Sequence, residues 1–408
     1  MERRKIKDLI ADNAILELQD GNHGEKHPTA ADYVEQGIPF LMARDFQNGQ
    51  VDLSGACKIP KSLGDSLRIG FARTGDVLLT HKGSVGLVAI VPEVPDYVML
   101  TPQVTYYRTN PAKLSNSYLK YAFQAPFFRD QLDSFSAQST RPYIGITAQK
   151  ELQLDFPPLP VQRRIAGILS AYDELIENSQ RRIRLLEAMA RALYREWFVH
   201  FRFPGHNTKS SASDNSPDFV SGMLGDLCGL TKDTYDDAVH SELPLLDLAH
   251  MPSRTLAPQD TGHPSELTTS RIVFKKNDTL FGAIRCYLHK VVAAHYSGVT
   301  NTSVLVLRPK RPCFRSLLAI IASDAETIRW AEAQSTGTKM PVINWGIFQK
   351  MPAPVPSAGL AQEFENIAGP MLDQIGVHAI QIQNLRRTRD LLLPRLLSGQ
   401  VSLAVNGT

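Results

Sequence analysis

Cysteine is scarce in this sequence of 408 residues: Cys57, Cys228, Cys286 and Cys313 stand far apart and form no CxxC pair. That spacing excludes a disulfide-framed small domain and suits a reducing cytoplasm. Long apolar runs are missing too. No stretch of about 18 uninterrupted apolar residues occurs, so no membrane span is expected. The opening MERRKIKDLIADN lacks the apolar core of a signal peptide. Charge of one sign is also lacking. The net charge is only +3, and acidic and basic residues nearly balance in residues 1–155 and again in 205–352. Bulk charge therefore gives no pointer to nucleic acid, and a basic surface would have to come from side-chain arrangement.

The familiar catalytic signatures are absent as well. Gly-Lys never occurs as a dipeptide, so no Walker A loop exists. No GxGxxG follows a strand-like run, which leaves a dinucleotide site unsupported. No Asn/Asp/Ser-Pro-Pro-aromatic tetrapeptide of an amino-methyltransferase is present. Ala125-Pro126-Phe127-Phe128 comes nearest and lacks the polar first residue. No lysine has Asp or Glu two residues before it, which removes half of a common metal-dependent nuclease site. No GxSxG elbow appears. His23 and His27 have helical metal-ligand spacing, but Gly24 and Pro28 beside them argue against a helix, so no metal site is expected. The chain reads as a non-enzyme.

What the sequence does contain is itself, twice. Its length calls for two or more domains. Gly37-Ile38-Pro39-Phe40-Leu41 resembles Glu242-Leu243-Pro244-Leu245-Leu246, and Gly75-Asp76-Val77-Leu78-Leu79 resembles Lys276-Asn277-Asp278-Thr279-Leu280 with Phe281. Ala137-Gln138-Ser139-Thr140 recurs as Ala333-Gln334-Ser335-Thr336, and Gln162…Ile165-Ala166-Gly167 as Gln362…Ile367-Ala368-Gly369. Four matches in one order, each about 200 residues apart, indicate a degenerate tandem duplication. Each copy runs from short Val-, Ile-, Tyr- and Thr-rich strands to a helix, a polar stretch and a proline gate: FPPLP at 156–160 and PAPVP at 352–356.

A long helix follows each gate. From about Val161 to Val199, Ile165, Tyr172, Ser179, Leu186 and Leu193 recur every seven residues. Leu169, Ile176, Ile183, Ala190 and Trp197 form a second row. From about Ala361 to Ser398, Phe364, Met371, His378, Leu385 and Leu392 run beside Ala368, Ile375 and Ile382. Both patterns are coiled-coil seams. The order domain–helix–domain–helix predicts that the second helix returns antiparallel along the first. The expected fold class is α+β: two mixed α/β recognition domains in pseudo-twofold arrangement, separated by two long antiparallel coiled-coil helices. The expected boundaries are residues 1–155 for the first domain, 156–204 for the central spacer helix, 205–217 for a polar flexible linker, 218–352 for the second domain and 353–408 for the second spacer helix and tail. At 1.5 Å per residue such a spacer is roughly 55 Å long. DNA repeats every ~34 Å, so the spacer would hold two reading heads a turn or more apart.

FPPLPVQRRIA ahead of a long Arg/Glu helix, together with LLLPRLLSGQVSL at 391–403, resembles the shared regions of type I restriction–modification specificity (S) subunits. GDVLLTHKGSVGLVAIVP (75–92) and SAQSTRPYIG (136–145) extend the resemblance over nearly the whole chain. The resemblance implies a non-catalytic subunit in a prokaryotic cytoplasm that reads a split site in double-stranded DNA with one target recognition domain per half. It also implies partners: methyltransferase (modification) subunits that dock on the helices and use S-adenosylmethionine, and translocase–nuclease (restriction) subunits that use ATP and Mg2+. No cofactor is expected in this chain itself. The competing reading is a coiled-coil adaptor whose two domains bind proteins, with PPLP as a polyproline ligand.

Candidate DNA contacts in the first half are Arg44, His81, Lys82, Ser84, Ser139, Thr140, Arg141 and Tyr143. Their second-half counterparts are Arg285, His289, Lys290, Thr336, Thr338 and Lys339. Hydroxyls, cations and an aromatic on loops suit phosphates and base edges; a solvated tight turn is the plain alternative. Arg44 has a second reading as a partner of Asp45. Arg163 and Arg164 oppose the dipole of the first helical turn, which suits docking or phosphate contact. Trp197 and Phe198 are candidate partner-facing anchors, with core packing as the competing role.

Overall fold

A computed structural model describes residues 2–47, 49–136, 142–204, 219–267 and 270–401; the expected linker, 205–217, lies outside the described residues except as sequence. The chain divides into two compact units, Met1–Asp173 with Arg387–Thr408, and Glu174–Arg386. Each unit holds part of both long helices.

In the first unit the Val- and Tyr-rich runs pair in one antiparallel sheet. Its order is Ile15–Asp20, Val104–Thr109, Val77–Thr80, Val88–Ile90. In the second unit Cys228–Thr231, Val304–Pro309, Thr279–Gly282 and Val291–Ala293 take the same order. The registers coincide as well. Val104 opposes Thr80 as Val304 opposes Gly282, and Leu79 opposes Val88 as Phe281 opposes Val291. A slip of one residue would turn every side chain to the other face. Shared register is therefore a much stricter sign of duplication than the loose sequence matches.

The central strands, Val77–Thr80 and Thr279–Gly282, are buried along their whole length. Val77 and Leu79 pack toward helix Asn116–Gln124, while Leu78 packs on Leu41, Val98 and Leu100 of a second sheet. That second sheet consists of Cys57–Ile59, Ile38–Leu41, Val98–Leu100 and Phe71–Ala72. In the other unit Phe281 faces the helical layer, where helix Arg315–Ala322 lies, and Leu280 faces Leu246, Phe274 and Val292.

The turn ahead of each central strand is built the same way. Gly75 and Asn277 take positive φ, +86° and +76°, which glycine and asparagine tolerate best. The next residue, Asp76 or Asp278, accepts the N–H of Arg73 at 2.8 Å or of Lys275 at 2.7 Å. Arg108 grips Asp76 through Nε and Nη2 (3.0 and 2.7 Å) and also pairs with Glu17. Arg308 grips Asp278 through the same two nitrogens (both 2.8 Å) and reaches Asp233 at 3.1 Å.

Each unit closes by pairing its first strand with the strand just ahead of a long helix: Arg3–Lys5 with Gln153–Asp155, and Phe219–Met223 with Pro352–Pro356. The second proline gate is thus itself a strand. Pro352, Pro354 and Pro356 alternate with Ala353 and Val355, so all three missing N–H groups fall on the side of the strand that needs no donor. The first gate differs. Pro157 is buried and Pro160 sits in the first turn of the helix, where no N–H is required.

The long helices run Leu159–Tyr194 and Ala358–Leu397. The first starts two residues earlier than the apolar pattern suggests and widens into a π-turn over Arg195–Val199. In the first unit Ile165 and Leu169 share a core with Leu393, Leu396 and Leu397. Asp173 there accepts from Lys120 (3.0 Å), Tyr121 (2.7 Å) and Arg389 (2.7 Å). Burial pushes the Asp173 carboxyl up, but Lys120, Tyr121 and Arg389 outweigh it and hold it below the ordinary value. In the second unit Ile176 and Ile183 pack with Ile375, Ala379 and Ile382, and Trp197 and Phe198 meet Phe364 edge-on. Within each unit the pairing is antiparallel, as the order domain–helix–domain–helix predicts.

Candidate nucleic-acid interface

Each sheet ends in a pair of loops brought together from distant sequence. In the first unit the strand Val77–Thr80 runs into residues 81–86, and residues 142–144 come alongside. Gly83 donates to the Pro142 carbonyl (3.2 Å), Ile144 donates to the His81 carbonyl (3.0 Å), and Lys82 pairs with Tyr143. In the second unit Arg285 donates to Pro341 (2.8 Å), Ile343 donates to Ala283 (3.0 Å), and Ile284 pairs with Val342. Gly83 and Arg285 occupy the same left-handed position, φ +77° and +52°. These backbone bonds fix the correspondence: His81 with Ala283, Gly83 with Arg285, Tyr143 with Val342, and Ile144 with Ile343.

Among the described residues of these loops the exposed side chains differ between the copies. Lys82, Ser84 and Tyr143 are exposed in the first. In the second, Arg285 is exposed on one loop and Thr336, Thr338 and Lys339 on the hairpin that Thr336 and Val342 close. Tyr287, Leu288 and Met340 stand exposed there too; they were passed over in the sequence because a lone apolar loop residue carries no pattern. Cations, hydroxyls and aromatics gathered on adjacent loops can meet phosphates and base edges.

Several sequence candidates fall elsewhere. His81 is 1% exposed and is a support rather than a contact, because it lies at the strand end with Tyr143 edge-on over it, ring centroids 5.6 Å apart. His289 is half-buried, with Nε2 against the Ser323 carbonyl at 2.9 Å, and burial lowers its pKa. Lys290 is tied to the Leu248 carbonyl. Arg44 is exposed but belongs to a separate turn, Ala43–Asp45, where it pairs with Asp45 at 3.8 Å and donates to Cys57 Sγ at 3.0 Å. Ser139, Thr140 and Arg141 lie outside the described residues. Arg163 and Arg164 are exposed but fall in the second turn, because the helix already begins at Leu159, and Arg163 donates to the Pro111 carbonyl at 3.2 Å. Trp197 and Phe198 are not exposed anchors. They are 5% and 4% exposed and belong to the core of the second unit, because the π-turn swings both rings onto Phe364.

Beneath the first loop pair lies a buried polar network that sequence reading missed. The Thr105 hydroxyl donates to Asp20 Oδ1 (2.7 Å) and accepts from Gln149 Nε2 (3.0 Å). His81 Nδ1 also bonds that hydroxyl. Burial lowers the His81 pKa, and Asp20 opposes the shift. Gln149 donates a second bond to the Ile144 carbonyl (2.8 Å) and accepts from the Tyr107 hydroxyl (2.6 Å). Thr105 and Gln149 are 0% exposed, yet nothing in their spacing separates them from ordinary surface polar residues.

Among the described residues no group of three or more potential metal-ligating side chains occurs, and no helix is long and apolar enough to cross a membrane. His23 Nδ1 bonds the Gly21 carbonyl at 3.0 Å, and His27 packs edge-on against Phe40.

Residues 14–188 match the family model of the type I restriction modification DNA specificity domain. The type I restriction enzyme MjaIX specificity subunit of Methanocaldococcus jannaschii is 23% identical over 391 residues, spanning 89% of this chain and 87% of that protein. The type I restriction enzyme EcoBI specificity subunit of Escherichia coli is 21% identical over 235 residues, 53% of this chain and 44% of that protein. The crystal structure of a type I restriction–modification system S subunit from M. genitalium has the same fold, with TM-score 0.60 at 15% identity, over 97% of this chain and 96% of that one. Residues 14–188 thus carry the type I restriction–modification DNA specificity domain, and over nearly its whole length the chain is similar to type I specificity subunits.

Proposed function

We propose that this chain is the DNA sequence-recognition subunit of a type I restriction–modification complex and reads a bipartite site, one domain to each half. The observation that carries the reading is the doubled loop pair: one backbone frame, held by the same hydrogen bonds, presenting Lys82 and Tyr143 in one copy where Ile284 and Val342 stand in the other, with Arg285 exposed in place of Gly83. Two readers of unlike half-sites need a common frame with unlike contact surfaces. The chain itself performs no catalysis on this reading. Methyltransferase subunits dock on the long helices and supply S-adenosylmethionine chemistry, while translocase–nuclease subunits supply ATP- and Mg2+-dependent steps, all on DNA in the cytoplasm.

The adaptor reading finds no support at the first gate. A polyproline ligand must lie open and extended, whereas Pro157 is buried, its carbonyl accepts from Gln162 at 2.8 Å, and Leu159 and Pro160 are already helical. The test is the host methylome with and without this gene. A bipartite methylated motif present with the gene and lost on its deletion is expected. An unchanged set of methylated motifs would overturn the proposal.

A further inference from the structure

The two loop pairs share their backbone bonds but not what lies beneath them. In the first unit a hydrogen-bonded network runs through the support: His81, Thr105, Gln149, Tyr107 and Asp20. Register and backbone bonds map the first four onto Ala283, Leu305, Phe348 and Leu307, all buried in one apolar core of the second unit. There Phe281 and Phe348 pack with ring centroids 4.4 Å apart. The same loop geometry is thus held by directional hydrogen bonds in one copy and by packing in the other.

The directional bonds converge on one residue of the second loop. The Ile144 N–H donates to the His81 carbonyl and the Ile144 carbonyl accepts from Gln149, so both polar groups of its backbone are fixed. Tyr143, next to it, lies edge-on to the His81 ring and pairs with Lys82. His81 in turn is oriented by Nδ1 on the Thr105 hydroxyl, which also receives Gln149. An error in the His81 ring would therefore be transmitted directly to Tyr143 and Lys82.

We infer that His81 and Gln149 are positioning residues for sequence reading by the first domain alone: through Thr105 they fix the Lys82–Tyr143 loop pair against the DNA half-site that this domain reads. The inference rests on the proposed DNA-reading function and goes beyond it by assigning specificity to side chains that touch no DNA. A directional network of this kind loses its geometry when one donor is removed, because a buried acceptor left unsatisfied reorganises its neighbours. An apolar core tolerates substitution of similar volume far better.

The test uses strains expressing the full chain from its own locus, with the methylated motif read genome-wide. The wild type must first give a bipartite motif; if it gives none, the DNA-reading proposal itself fails, separately from this one. Arg285→Ala then marks the half-site of the second domain by relaxing it. His81→Leu and Gln149→Leu are each expected to relax the other half-site, lowering discrimination there by about tenfold or more, with the Arg285-dependent half unchanged. His81→Asn, whose amide places a hydrogen-bonding group where Nδ1 lies, is expected to restore discrimination that His81→Leu loses. An unchanged motif in His81→Leu, equal relaxation of both halves, or identical behaviour of His81→Leu and His81→Asn, including joint loss of methylation, would each overturn the inference.

Discussion

Replacing Asp278 by alanine isolates the device that holds the central strand of the second unit. Asp278 is 2% exposed and accepts three hydrogen bonds, from Lys275 N–H at 2.7 Å and from Arg308 Nε and Nη2 at 2.8 Å each. Truncation strands one backbone donor at a left-handed turn and removes the principal counter-charge of Arg308. Breaking a buried pair by deleting one partner costs about 3–5 kcal/mol. Here the Arg308 side chain is 32% exposed and keeps Asp233 at 3.1 Å, so water and the second carboxylate recover part of the loss and about 2–3 kcal/mol is expected. For a unit of this size that is a fall in Tm of about 4–12 °C. Scanning calorimetry gives the shift, and hydrogen exchange at residues 279–282 shows that the loosening is centred on the turn. The equivalent truncation, Asp76→Ala, should cost a similar amount, since Arg73 N–H and Arg108 make the same three bonds there. The double variant Asp278→Leu/Arg308→Met should recover most of the loss, because a well-packed apolar pair can replace a buried ion pair. Losses below about 0.5 kcal/mol for both Asp76→Ala and Asp278→Ala would refute the reasoning.

Three further outcomes are expected. His295 is half-buried, its Nε2 buried and without a partner, and desolvation lowers its pKa to about 4, Asp373 opposing and Arg315 and Lys276 assisting. The unfolded chain therefore binds a proton below pH 6.5 that the folded chain refuses. Stability should be full above pH 6.5 and fall by up to ~3 kcal/mol as pH drops toward 4; urea unfolding across that range should be flatter for His295→Phe than for the wild type. Glu365 accepts from Arg315 Nε and from the Ser316 N–H, both at 2.9 Å, at the start of helix Arg315–Ala322. Glu365→Leu should cost about 2–4 kcal/mol in chemical denaturation. Lys82→Ala should weaken DNA binding and reduce the slope of log K against log salt by about 0.9 if Lys82 meets a phosphate, a value read from titrations at several salt concentrations.

What the sequence made legible was periodic or repeated. The seven-residue rows placed Ile165, Leu169, Ile176, Ile183, Ile375 and Ile382 in buried seams, because a helix converts spacing directly into a face. Asp76 and Asp278 were matched as repeats, yet their pairing with Arg108 and Arg308 depends on strands brought together across the sheet, which spacing cannot show. The proline-rich 352–356 looked like a helix-gating break and is a strand, because alternate prolines leave the paired side of the ladder intact. Trp197 and Phe198 carried two readings that sequence left open; the π-turn over Arg195–Val199, which no periodicity announces, put both in the core. His81 was misplaced for the same kind of reason. A histidine beside Lys82 in a polar loop looks accessible until Thr105 and Gln149, from other elements, are found against it.

The loop pairs show which features of a duplicated reader can drift. Three backbone relations are retained in both copies: the strand register, the N–H of the left-handed loop residue on a proline carbonyl, and the Ile144 or Ile343 N–H on the strand-end carbonyl. None of them depends on side-chain identity, beyond the tolerance of position 83 or 285 for positive φ. The layer beneath can therefore change wholesale, from a His–Thr–Gln network to Ala, Leu and Phe, without moving the frame. The layer above can change independently, from Lys82, Gly83 and Tyr143 to Ile284, Arg285 and Val342. A reader built this way separates where the contact residues stand from what they are. On the proposed function, that separation lets one half-site preference change while the other half, and the helices common to both units, stay as they are. It also predicts an asymmetry: the apolar-supported second reader should accept substitutions in its buried layer more readily than the first, where each buried polar group needs its partner.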